Sequence, residues 1–439
     1  FPRTFEKVIG ATIVTLYGGN YNSKNISRIV ETNLGDLIGD AMMYESKELL
    51  KYTEYQDLPI VALENGGAVR SRINHGFITM EDILNVLPLD NKLSLQIITP
   101  KTLYQTMERG VCKMKEPSGK GEALDGFFGG FPQIGGMKIE FDITKEAYDT
   151  NAPYDYKGQR VTKITLIDQE EQNNGIVLDR SDDKTKLIFA CNDYTITEFP
   201  MVNEVDILTK GNYLSDTLAN YINKLTLDSG APINNYEVKN RDILLNQNDY
   251  AADFDSKIQV FYESNILASS DVLVSIDNKE NTSMTTDEEG YLTINSLDYN
   301  GHTVKVYYDK KYSDAYVDPR GGIKNSSVFI SDTSQRDIKC VTNLIDQIPE
   351  NVTNEDARLI KFTRSSFDTL SSNSKNKVTN YQKLVNAEKN LSRLNNTQAA
   401  FWDTVFKDHI VSIIVFVIVI LLIGIFIAIM VKRKRSKTK

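Results

Sequence analysis

A short apolar run, Pro59-Ile60-Val61-Ala62-Leu63, leads directly into Glu64-Asn65-Gly66-Gly67-Ala68-Val69-Arg70. The run reads as a buried strand. Two glycines after Asn65 let the backbone turn sharply and come close to a ligand. Arg70 then carries a planar cationic fork to the same spot, suited to a carboxylate or a phosphate. A second arginine, Arg28, stands upstream of Glu31-Thr32-Asn33-Leu34-Gly35-Asp36-Leu37-Ile38-Gly39-Asp40-Ala41-Met42. In that block Leu34, Leu37, Ile38, Ala41 and Met42 recur at helical spacing and mark one apolar helix face.

The two blocks together, one ending in Asp40-Ala41-Met42 and the other running from Asn65 to Arg70, resemble the C-terminal, substrate-recognising domain of the 5'-nucleotidase family. The resemblance spans roughly the first half of the chain. It starts at Lys7-Val8-Ile9-Gly10, passes through Val86-Leu87-Pro88-Leu89 and Phe131-Pro132-Gln133-Ile134-Gly135-Gly136-Met137, and closes near Tyr213-Leu214-Ser215-Asp216. It implies an α+β domain that clamps a nucleoside while a separate N-terminal domain, holding two divalent metals, attacks the phosphate. By that resemblance Arg28 and Arg70 are substrate arginines, Asn65 bonds the base, and Gly66, Gly67, Gly135 and Gly136 bring backbone close to the ligand. Without the resemblance, the two arginines read as surface salt bridges.

Two departures bear on the ligand. The family places an aromatic after Val-Leu-Pro, where this chain has Leu89. Its second aromatic opens a loop that ends in Gly-Gly-Asp; here the stretch is Asn192-Asp193-Tyr194-Thr195-Ile196-Thr197-Glu198-Phe199-Pro200. Tyr194 can take the aromatic's place, and Glu198 is the available substitute for the lost carboxylate. Losing one stacking face and one charge-assisted hydrogen bond would each cost about 1–3 kcal/mol.

A two-metal phosphoesterase needs several His and Asp ligands holding ions about 3.5–4 Å apart. The only histidines are His75, His302 and His409, far apart and outside any metal-binding context. No metal or other cofactor is therefore expected in this chain, and the two divalent metals are expected in an N-terminal domain outside it. The first residue is Phe and no signal peptide precedes it, so the chain is expected to be part of a longer protein.

The 439 residues leave room for about three domains. The net charge is −9, and six cations lie after Val431, so the rest carries −15. An acidic body argues against binding nucleic acid, whose phosphates recruit basic patches. Cys112, Cys191 and Cys340 lie in separate segments without metal-ligand spacing; they read as buried thiols, although spacing does not exclude one pairing, such as Cys112 with Cys191.

Residues 1–235 alternate strand-like and helix-like patterns. Thr79-Met80-Glu81-Asp82 predicts a capping box, and Thr99-Pro100 predicts a helix start. Residues 255–325 read as short strands in a small β-sandwich resembling the immunoglobulin-like modules of bacterial surface proteins, with Asp287-Glu288-Glu289-Gly290 as a hairpin loop. Asp249, Asp253 and Asp255 lack a calcium-loop pattern and read as a solvated acidic loop. Residues 336–400 read as helical, resembling Gram-positive surface spacers; as spacer or plain helical hairpin, the expected role is a stalk. Residues 410–431 form an unbroken apolar run of about 33 Å as a helix, enough to span a bilayer. The basic tail, 432–439, places that end in the cytoplasm and the bulk outside. Gly424 and Ala428 have the small-xxx-small spacing that can pair two spans in a homodimer.

The leading expectation is the substrate-binding and anchoring part of a membrane-anchored extracellular 5'-nucleotidase or nucleotide-sugar phosphoesterase, partnered by a nucleotide and the lipid bilayer. The alternative is a surface binding or adhesion protein that reuses a degenerate nucleotidase-like domain.

Overall fold

The computed structural model describes residues 5–21, 23–151, 158–167, 175–199 and 207–398. The apolar run 410–431, the basic tail and the Gly424/Ala428 pair lie outside these residues. Among the described residues no helix is long and apolar enough to cross a membrane.

The first domain is built from β1 (Val8–Thr12), α1 (Asn33–Leu50), β2 (Ile60–Asn65), β3 (Gly76–Thr79), α2 (Met80–Val86), β4 (Lys92–Ile98), α3 (Pro100–Gly110), β5 (Pro132–Gly135), β6 (Met137–Phe141), β7 (Val161–Leu166), β8 (Leu187–Asn192), α4 (Asp193–Glu198), β9 (Ile207–Tyr213), α5 (Leu214–Ser229) and β10 (Asp242–Leu244). The central sheet runs in the order β9-β4-β8-β2-β5. In it β8 and β2 pair parallel, and the remaining pairs are antiparallel. Both faces of β2 are covered, which is why it reads as a continuous apolar run. Local chemistry sets the helix starts. Thr79 and Asp82 form the reciprocal capping box of α2, and Thr99 accepts from the Thr102 amide at the start of α3.

The strongest sequence motif turns out to be structural. Asn33 binds the backbone of Thr15, Tyr17 and Tyr236, fixing the start of α1. Gly35 and Gly39 let β5 cross close under the helix. A Cβ on Gly35 would fall 1.8 Å from Gln133 Oε1, and one on Gly39 would fall 2.7 Å from the Ile134 carbonyl oxygen. Asp40 receives the Arg241 guanidinium at 2.6 Å, while Glu31 accepts the Arg241 amide at 2.8 Å. Arg241 thereby ties the end of the domain to its beginning. The domain runs past residue 235, because β10 pairs parallel with β6.

Residues 254–330 form two four-stranded sheets that share one core, with Ile258, Val260 and Val328 on one side and Val274, Val304 and Val306 on the other. Asp287–Gly290 is a tight turn but not a hairpin. Thr282–Thr285 pairs with Asp271–Ile276, whereas Tyr291–Leu297 pairs with Phe254–Tyr262, so the turn crosses between sheets. The sandwich is docked on the first domain. The Tyr17 and Tyr316 rings stack at 4.7 Å, and the Thr15 amide donates to Asp314 at 3.1 Å.

The helices after residue 333 do not extend away as a stalk. Ser334–Gln347 and Ala357–Thr369 bury Val341, Leu344, Ile345 and Phe362 in one cluster with Val8, Ala11 and Phe77 of the first domain. Asn343 accepts from the Val8 amide at 3.1 Å, and Lys339 pairs with Glu6 at 2.6 Å. An amphipathic stripe reads the same whether it packs in a free hairpin or on a neighbouring domain. All three cysteines are buried free thiols, including Cys112 and Cys191.

Candidate functional site

A cavity of about 270 Å³ opens at the C-terminal end of β2. Its walls come from six places in the sequence, four of them read from the sequence. Arg28 ends a short 3-10 turn, Asn65 ends β2, Gly67 and Arg70 follow, Leu89 comes after α2, and Tyr194 lies in α4. The glycines make this convergence sterically feasible. A Cβ on Gly66 would fall 1.7 Å from the Ser27 carbonyl oxygen, so any larger residue pushes the turn bearing Arg28 away. The Gly67 amide donates to the Gly129 carbonyl at 2.8 Å, drawing the loop before β5 against β2.

Arg28 Nε is buried without a hydrogen-bond partner. Among the described residues neither Arg28 nor Arg70 forms an ion pair. The carboxylate in the wall, Glu198, stands 3.9 Å from the guanidinium of Arg109, another lining residue. Glu64 is fully buried, and burial pushes its carboxyl up to about 8 despite the Asn192 amide that donates to it at 2.6 Å. Burial thus disfavours its charged form, and it does not line the cavity. Three guanidiniums against one carboxylate leave the cavity cationic within a chain of net charge −9. Such a site attracts an anion.

Asn65 is not free to read a base edge with its whole amide. Its Nδ2 donates to the Gly129 carbonyl at 3.0 Å, and its Oδ1 accepts from Asn192 Nδ2 at 2.7 Å. Gly66 packs on Ser27 outside the cavity. Gly135 and Gly136 lie at the far end of β5, where a Cβ on either would meet Gly39 or the Ile60 carbonyl; they admit α1 and β2 and do not line the cavity.

The sequence reading left out Phe128, Phe199 and Arg109, which also line the cavity. Phe199 is 2 % exposed and forms its floor, whereas Leu89 and Tyr194 are 44 % and 50 % exposed. The Arg109 guanidinium lies 5.8 Å from the Phe128 ring centre and 5.2 Å from that of Phe199, and its Nε donates to the Glu198 carbonyl at 2.8 Å. A signal existed: two adjacent aromatics, Phe127 and Phe128, sit among three glycines, Gly126, Gly129 and Gly130.

The described residues do not fit a two-metal centre. His75 stands 3.5 Å from Asp314 and stacks on Tyr312; His302 bridges Asp277 and Asp298. Neither lines the cavity, and His409 lies outside the described residues. Among the described residues no three His, Cys, Asp or Glu side chains converge to hold a metal.

Residues 8–204 match the family model described as the C-terminal domain of 5'-nucleotidase. The chain is 30 % identical over 189 residues to the trifunctional nucleotide phosphoesterase protein YfkN of Bacillus subtilis, covering 43 % of this chain and 10 % of that protein. It is 30 % identical over 164 residues to human 5'-nucleotidase, covering 36 % of this chain and 24 % of that protein. The crystal structure of the 5'-nucleotidase precursor from Thermus thermophilus shares 21 % identity and a TM-score of 0.41, covering 55 % of this chain and 40 % of that one. The chain thus spans a tenth to about a quarter of the length of these two curated relatives.

Proposed function

We propose, from a first domain that belongs to the 5'-nucleotidase C-terminal domain family, that this chain binds the nucleotide substrate of a nucleotide or nucleotide-sugar phosphoesterase. The observation that carries the reading is the cavity itself. Two guanidiniums without ion-pair partners, Arg28 and Arg70, share it with the aromatic side chains Phe128 and Tyr194. Arg28 is half-buried with its Nε unsatisfied and Arg70 stands exposed at the rim, so the site offers two uncompensated cations to an anion. The aromatic walls call for a flat ring. A nucleotide supplies both. Metal chemistry would come from a separate domain, since among the described residues no three His, Cys, Asp or Glu side chains converge to hold a metal.

The test is titration calorimetry of the full chain with AMP and with adenosine. AMP should bind at least about tenfold more tightly, since one charge-assisted contact is worth about 1.5–3 kcal/mol. Equal affinities, or no heat from either, would contradict the reading.

The same reading places the chain on a cell surface, held by residues 410–431 with the tail 432–439 in the cytoplasm. What supports it is the length and apolarity of that run and the cations after it. Protease added to intact cells should remove the domains before the span. Full protection of the first domain would count against this orientation.

A further inference from the structure

We propose that Phe128 is the aromatic face on which the base of the bound nucleotide stacks, and that Asn65 is the positioning residue that holds it there. This rests on the nucleotide reading of the cavity given above.

The loop from Gly126 to Gly130 has no secondary structure of its own, yet it is fixed at each residue that matters. The Phe128 amide donates to the Arg28 carbonyl at 3.0 Å, and the Phe131 amide donates back to Phe128 at 3.0 Å. The next carbonyl, Gly129, accepts both Asn65 Nδ2 at 3.0 Å and the Gly67 amide at 2.8 Å. Asn65 is itself held from behind by Asn192, which also binds buried Glu64. Phe128 is therefore tied through its backbone to Arg28 on one side and to Asn65 on the other.

The ring has a built seat. A Cβ on Gly130 would lie 2.5 Å from the Phe128 ring and 3.2 Å from that of Phe199, so glycine is what lets the two aromatics close on each other there. Arg109, latched to Glu198, packs its guanidinium against both rings. Its charge lies inside the wall, which leaves Arg28 and Arg70 as the cations free to meet an anion. Leu89 adds apolar surface but no π face. The aromatic surfaces at the cavity are thus Phe128 and Tyr194 above the buried floor of Phe199. A stacked base gains from each such face in a way that tolerates different bases.

The experiment compares AMP with ribose 5-phosphate, which keeps the anion and lacks the ring, on the full chain and on Phe128→Leu and Phe128→Trp. Thermal melts of each protein establish that it is folded. Phe128→Leu should weaken AMP about ten- to a hundredfold and leave ribose 5-phosphate unchanged. Phe128→Trp should restore AMP binding. Asn65→Ala should weaken AMP and, by freeing the loop, speed amide exchange at Gly129 and Gly130. The proposal is overturned if Phe128→Leu leaves AMP unchanged, if it weakens both ligands equally, or if the loop amides exchange no faster in Asn65→Ala. If the unmodified chain binds neither ligand, the nucleotide reading itself falls, a result distinct from a chain that binds AMP regardless of Phe128.

Discussion

Arg70→Ala should weaken AMP binding by about tenfold to more than a hundredfold, and Arg28→Ala should do the same. Each removes a charge-assisted contact worth about 1.5–3 kcal/mol. The two effects differ in origin. Arg70 is exposed, and its own backbone amide, which donates to the Val86 carbonyl, is kept in the alanine variant, so loss of the side chain should leave stability nearly untouched. Arg28 is partly buried, with an unsatisfied Nε, so its loss should also relieve an uncompensated polar group and leave stability unchanged or slightly raised. Calorimetric titration with parallel melting curves reads both quantities. The double variant should bind no AMP at millimolar concentration. Unchanged affinity in both single variants would show that the cationic character of the cavity serves something other than a phosphate.

The largest effect on stability should come from Arg241→Ala, at about 3–5 kcal/mol, the range for breaking a buried ion pair. Arg241 is 1 % exposed. Its guanidinium reaches Asp40 at 2.6 Å, Asp36 at 3.5 Å and the Ile134 carbonyl at 2.9 Å. Around it four carboxyl groups, Glu31, Asp36, Asp40 and Asp242, crowd into one region. Burial, and then the nearby charge of Glu31, push Asp36 and Asp242 well above the usual carboxylate range. Arg241 and Lys239 pair directly with this region, and the partly buried Arg320 lies close enough to Glu31 to interact with its charge. Without Arg241, Asp40 keeps Lys239 at 3.2 Å, but Asp36 and the Ile134 carbonyl lose their buried guanidinium partner. Urea denaturation would measure the loss, and Arg241→Lys should lose less. A loss under about 1 kcal/mol for Arg241→Ala would show that the cluster is held by something else.

Arg28 and Arg70 were legible in the sequence, whereas Arg241 was not. The block from Glu31 to Met42 pointed to the right domain, but its polar residues act in folding. Asn33 anchors backbone, Gly35 and Gly39 admit β5, and Asp36 and Asp40 hold Arg241. Arg28, Asn65, Gly67, Arg70 and Tyr194 do meet in one cavity, because β2 and β8 are parallel neighbours that end at the same edge. Capping chemistry at Thr79 and Thr99 was readable because it is local. Phe128 was not singled out because its loop has no period to mark a face, and its value comes from contacts with residues up to 100 positions away. The docking of the sandwich and the last helices was invisible for the same reason. Tyr17 on Tyr316 and Val8 against Asn343 join segments about 300 residues apart, and an apolar stripe does not name its partner. Gly135 and Gly136 carried the opposite error: small residues needed for close packing look the same in sequence as small residues needed for a ligand.

The most direct measurement is a crystal structure of the full chain grown with saturating AMP. The nucleotide should lie in the cavity at the end of β2, with its phosphate or ribose oxygens within hydrogen-bond reach of Arg28 and Arg70 and its ring against Phe128 and Tyr194. A nucleotide bound elsewhere on the chain, or an empty cavity with both guanidiniums turned away from it, would contradict the account.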